Sequence, residues 1–96
     1  MAHFEKNDKG FSIIKLSRLE WMAVMDGHLG TCDLCDNNDI DYGYIIPVIP
    51  AFYCETCYKA WMDSAIRYKS EIEFEQRHFR NYVGALRDLG VWEENQ

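Results

Sequence analysis

Long apolar runs are missing from this 96-residue chain. The longest, Tyr44 to Tyr53, is broken by Pro47 and Pro50, the only prolines, and falls far short of the roughly 20 residues of a membrane helix. The opening residues, Met1 to Gly10, hold no apolar core of a secretory signal. No membrane partner is therefore expected, and the cytoplasm is the expected location. Basic charge is scarce in the middle of the chain. Residues 32–63 set six acidic groups against Lys59 alone, residues 1–31 balance four against four, and residues 64–96 set six against five, for a net charge of −6. Such a field repels phosphates, which weighs against nucleic acid. A Gly-rich phosphate loop and a paired-carboxylate signature are also missing, and no enzyme is expected.

What is present is two cysteine pairs, Cys32-Asp33-Leu34-Cys35 and Cys54-Glu55-Thr56-Cys57, with eighteen residues between them. Each C-x2-C turn lets two thiolates converge on one ion, and two such turns complete a tetrahedral shell. The separation is that of a metal site rather than of a disulfide framework or a redox pair. Without an export signal the thiols are expected to stay reduced. One structural Zn²⁺ on Cys32, Cys35, Cys54 and Cys57 is the predicted cofactor, although four thiolates suit iron as well. Four protein ligands leave no open position for a reactive water, so the metal is not expected to be catalytic. His28, four residues before Cys32, is read with His3 and His78 as a spare histidine.

Along the chain, Asn7 to Gly10 reads as a turn and Phe11 to Leu16 as a strand or extended lead-in. Ser17-Arg18-Leu19-Glu20 matches a capping box and predicts a helix over about 17–27, mostly buried, stopped by Gly27 or Gly30. Asp36 to Asp41 is an acidic loop. Tyr42–Ile46, then Val48-Ile49 and Ala51–Tyr53 around Pro47 and Pro50, read as a hairpin with at least one edge strand, which delivers Cys54 to the top of a helix carrying the stripe Tyr58, Trp61, Met62, Ala65. Ser70-Glu71-Ile72-Glu73 matches a second capping box, opening a helix over about 71–89 with the stripe Phe79, Tyr82, Val83, Leu86, Leu89. Gly90 and Val91 suggest a Schellman stop, with Trp92 as the last anchor and Glu93 to Gln96 frayed.

A cysteine knuckle, a hairpin and a helix supplying the last two ligands together resemble a treble-clef zinc finger, and the ligand spacing resembles that of GATA-type fingers. The likeness covers about residues 31–66. It implies a metal site on the four cysteines and, in that family, DNA binding through a basic helix. The matching helix here begins Glu55-Thr-Cys-Tyr-Lys-Ala-Trp-Met-Asp63, with one Lys against two acids, and no basic tail follows.

The expected fold is a single α+β domain over 1–96: a small treble-clef-like zinc module (knuckle, β-hairpin, helix) with an N-terminal and a C-terminal helix packed on it. The expected function is a protein–protein interaction or regulatory adaptor, with homodimerisation left open. Two readings of the apolar hairpin stand side by side. Either the first and last helices cover its two faces, or Tyr44, Ile46, Val48 and Phe52 form an exposed edge that binds a partner, together with the acidic loop. The alternative function is a nucleic-acid-binding regulator using Arg77, Arg80 and Arg87, which share one face of the last helix. Glu71, Glu73 and Glu75 beside them are read as part of the same solvated, mixed-charge face.

Overall fold

In the computed structural model residues 1–25 and 29–94 are described. A strand, β2 (Ser12–Ser17), runs directly into a helix, α1 (Arg18–Val24), and Ser17 belongs to both events. Its hydroxyl accepts the Glu20 amide at 3.1 Å while the Glu20 carboxylate accepts the Ser17 amide at 2.8 Å. Two otherwise orphaned amides are thus satisfied, a cap worth about 1 kcal/mol. The expected burial of most of this helix does not occur. Trp21 alone among its residues is buried, and Leu19 is 73% exposed. Seven residues are two turns, and two turns touch the sheet along one line. The predicted stop at Gly27, and His28, lie outside the described residues.

The sheet has four antiparallel strands in chain order, β1 (His3–Lys6), β2, β3 (Tyr42–Ile46) and β4 (Ala51–Tyr53). Asn7 makes the first turn: its Oδ1 accepts the Lys9 and Phe11 amides at 3.1 and 3.0 Å. Phe4, Ile14, Ile45 and Phe52 lie in one row across the strands, and His3, Lys15, Tyr44 and Tyr53 in the next. Pro47 and Pro50 fall in the turn between β3 and β4, closed by the Ile49 amide on the Ile46 carbonyl at 3.1 Å. Gly43 is a close approach: a Cβ there would stand 2.6 Å from the Phe52 ring and 2.7 Å from the Tyr53 carbonyl oxygen.

Both sheet faces are covered, by a different division of helices from the expected one. Ile14, Leu16, Ile45 and Phe52 pack with Trp21 of α1 and with Val83 and Leu86 of the last helix, α3 (Ile72–Asp88). Phe11, Ile13, Tyr44, Ile46 and Val48 pack with Tyr58, Trp61, Met62 and Ala65, which are carried by or just follow α2 (Glu55–Ser64). The first and last helices thus share one face, and α2 covers the other. The reason is local: β2 enters α1 with no connecting loop, which commits α1 to the Ile14 side. Trp21 stacks on Phe52 with ring centroids 4.8 Å apart.

The second capping box does not form. A 3₁₀ turn (Lys69–Glu71) precedes α3, whose first residue Ile72 is capped by no side chain. Nor is Glu75 on a solvated face. It is fully buried, and its carboxylate accepts from the two terminal guanidinium nitrogens of Arg67 at 2.9 and 3.0 Å and from the Ser12 amide at 3.1 Å. This pair ties the α2–α3 connection to β2. At its far end α3 stops as expected. The Val91 amide reaches the Leu86 carbonyl (3.1 Å), the Gly90 amide reaches the Arg87 carbonyl (2.9 Å), and Gly90 has φ +73°. Glu93 is held rather than frayed, its amide on the Ala2 carbonyl at 2.8 Å. Asn95 and Gln96 lie outside the described residues.

Two outcomes are expected in urea denaturation. Glu75→Ala strands Arg67 and the Ser12 amide and costs about 3 kcal/mol, the lower end of the range for a broken buried pair, because Arg67 keeps 27% of its side chain exposed. Ile46→Lys places an ammonium in a fully buried position and lowers stability by at least about 3 kcal/mol.

Candidate metal centre

The two cysteine pairs arrive from different elements. Cys32 and Cys35 lie in the loop between α1 and β3, where Asp36 adopts φ +61° and its amide bonds the Cys32 carbonyl at 2.9 Å. The Cys32 amide in turn reaches the Asn37 carbonyl at 3.0 Å. This closes a tight knuckle, and an Asp in the left-handed region is among the few side chains that tolerate it. The Asp33 amide bonds the Phe52 carbonyl at 2.9 Å, and the Asp33 carboxylate accepts the Phe52 amide at 2.8 Å. The knuckle therefore lies along the outer side of β4. The β3–β4 hairpin carries the chain to Cys54, the N-cap of α2, and Cys57 follows in its first turn.

All four Sγ atoms lie within 4.8 Å of one another, and Cys35 Sγ is 3.8 Å from Cys54 Sγ. Tetrahedral bonds of about 2.3 Å to one ion require sulfur–sulfur edges of about 3.8 Å. A disulfide needs about 2.05 Å, and all four cysteines are free. Cys32, Cys54 and Cys57 are buried and Cys35 is exposed, so the cluster opens to solvent through one sulfur.

The thiols are electrostatically unequal. Burial pushes Cys32 up, but hydrogen bonds from the Cys54, Cys35 and Leu34 amides outweigh it and hold its pKa at about 7. Cys57 is driven far up by burial and by hydrogen bonding to Cys35, Cys54 and Cys32. Cys35 is pulled down by the Asn37 amide, yet burial and its contacts with Cys32 and Cys54 leave it raised. The Cys32 thiolate forms readily, and Cys35 and Cys57 then resist ionising. A cation removes that conflict, and its binding must release protons.

Beside the centre lies a cleft of about 270 Å³ lined by Asn37, Ile40, Asp41, Tyr42, Cys54, Glu55 and Thr56. The Tyr42 hydroxyl donates to the Glu55 carboxylate, which raises the phenol and lowers the acid. Lys59 bonds the same carboxylate at 3.1 Å, and the Lys15 ammonium stands 4.5 Å over the Tyr42 ring. Tyr42, Asp33 and the buried Glu75 carried no spacing signal in the sequence, because each acts through a partner outside its own element, whereas Glu55 and Lys59 stand at the local spacing of a helix pair.

The other predicted positions divide. Tyr44, Ile46, Val48 and Phe52 are 8, 0, 9 and 0% exposed. They are core, and the expected partner edge built on them is corrected: α2 covers the first three and α1 with α3 the last. Arg77, Arg80 and Arg87 are exposed on α3, with Arg87 paired to Glu94 at 2.5 Å. His3 bonds Glu5 at 2.9 Å and His78 the Phe74 carbonyl at 3.0 Å. Among the described residues no helix is long and apolar enough to cross a membrane. Comparisons with protein-family models, curated proteins and solved structures gave no match.

Titration with Co²⁺ under reducing conditions should show one ion per chain and intense thiolate-to-metal absorption. Cys57→Ser should weaken binding by more than the roughly 10–100-fold that loss of a supporting outer residue costs. Chelation should collapse amide dispersion over about residues 31–41 and 54–57 while β2, β3 and β4, paired in one sheet, keep theirs. Tight single-ion binding by Cys57→Ser would contradict the four-sulfur assignment.

Proposed function

We propose that the chain is a small protein-interaction or regulatory adaptor module whose fold is fixed by one structural Zn²⁺, and that it is not an enzyme. Four thiolates complete the shell of Zn²⁺ and leave no position for a reactive water. The order knuckle, hairpin and helix, with Cys54 at the helix cap and Cys57 in its first turn, supports the treble-clef reading of this module. Zinc ligation of this kind is worth roughly 10–16 kcal/mol, comparable with the total stability of about 5–15 kcal/mol typical of a domain.

The observation that carries the adaptor reading is the surface of the knuckle loop. Asp33, Asp36, Asp39 and Asp41 are exposed there with no basic residue between them, and Leu34 at 59% and Leu29 at 73% stand exposed on either side of Cys32. With the hairpin side chains buried, the partner surface moves to this loop. A basic segment with an apolar anchor is the matching partner chemistry. Affinity capture with the zinc-loaded chain should retain a partner that Leu34→Asp and Asp36→Lys both release at unchanged zinc content. Capture that ignores both changes would remove this surface.

A second reading is favoured by the exposure of Arg77, Arg80 and Arg87 on one face of α3. It makes the chain a nucleic-acid-binding regulator, with Arg87 first freed from Glu94. It requires retardation of DNA or RNA at low salt and a steep loss with added salt. Absence of any complex at micromolar protein and low salt would discard it.

A further inference from the structure

Strand β4 is an edge strand with no charge of its own. The twelve residues Tyr42 to Tyr53 contain no Asp, Glu, Lys or Arg, whereas exposed edges are normally guarded by charge, bulges or cover. Main-chain groups of successive strand residues point to opposite sides. Both the N–H and the C=O of Phe52 point away from β3, since both are bonded to Asp33. Ala51 and Tyr53 then turn theirs toward β3. Phe52 thus holds the outward pair of this three-residue strand, and Asp33 takes both members of it. Asp33 behaves as a one-residue strand, its own amide supplying the donor and its carboxylate the acceptor. It also lies between Cys32 and Cys35, so its place is set by the sulfur cluster.

We propose that metal on the four cysteines keeps the β4 edge closed through Asp33, and that loss of the metal opens this edge to antiparallel pairing with a second copy of the chain. The proposal deepens the structural-metal reading and rests on it. Without the ion, the knuckle keeps only thiol contacts and the Cys54 amide on Cys32 as links to the start of α2 among the described residues, and the four aspartates of its loop repel one another. The uncovered edge is self-complementary. In a twofold antiparallel pair Phe52 faces Phe52 of the second copy and the two exchange both hydrogen bonds. Ala51 then falls opposite Tyr53 of that copy, small against large, with no like charges facing.

The test uses the full chain under reducing conditions, metal-loaded and chelated, with amide exchange followed by NMR and mass by sedimentation. At a concentration where the chelated chain sediments as a monomer, chelation should accelerate exchange of the Phe52 amide by about 100-fold or more, as expected when a local protection is lost. The Ile14 and Ile45 amides should change by less than about threefold, since the central strands stay paired. The weight-average mass should rise with concentration only after chelation. Ala51→Lys, at unchanged metal content when loaded, should keep the fast Phe52 exchange once chelated but lose the rise in mass. Loaded Asp33→Ala should show faster exchange at Phe52 with metal still bound. Phe52 exchange that ignores chelation, or that rises in step with Ile14 and Ile45, overturns the gating. A mass increase that survives Ala51→Lys overturns pairing between copies. A chain that takes up no metal defeats the structural-metal reading itself, and metal analysis identifies that case before exchange is measured.

Discussion

Four sulfurs held within 4.8 Å pose an electrostatic problem before they serve any structural purpose. Neutral thiols at that range offer one another only weak hydrogen bonds, and ionised ones repel. A single divalent cation bound there would turn the repulsion into attraction and weld together two points nineteen residues apart, Cys35 and Cys54. Through Cys54 the weld reaches α2, and through Asp33 it reaches β4. Loop, sheet edge and helix N-terminus would then share one constraint. The exposed Cys35 is the sulfur at which solvent meets it.

The remainder of the chain draws on ordinary burial. β2 and β3 are apolar on both faces because helices cover both, α1 and α3 on one side and α2 on the other. Arg67 and Glu75 bind the long connection between α2 and α3 back to β2. That buried pair is weak evidence for net stability, since desolvation offsets much of its attraction. It does define the path of the connection, because a Glu at 0% exposure has few other places to find three donors.

The sequence showed some parts of this molecule clearly and others not at all, for physical reasons. The cysteine spacing, the Ser17–Glu20 box and the Gly90 stop are local rules, and each is visible in the geometry. The stripe on α2 was legible because its period is regular. β1 was missed because His3-Phe4-Glu5-Lys6 has one apolar residue and gains its strand conformation from β2. The Ser70–Glu73 box matched its pattern but met a 3₁₀ turn instead, since Arg67 and Glu75 dictate how the chain enters α3. Glu75 itself looked like one more acid in a solvated run. For the hairpin side chains Tyr44, Ile46, Val48 and Phe52 a covered and a partner-edge reading stand side by side in the sequence, because alternation cannot say whether one face or two will be covered.

Strand β3 carries apolar side chains on both of its faces, and that leaves a question which burial alone does not answer. A one-residue slip exchanges the two sets of side chains without exposing either to water, so hydrophobicity is nearly indifferent to the threading. Shape decides instead. The ring of Phe52 lies over the bare α-carbon of Gly43, where a Cβ would stand 2.6 Å away. Any neighbouring alignment would present that ring with Tyr42 or Tyr44. An absent side chain is thus the key that sets the alignment of this sheet.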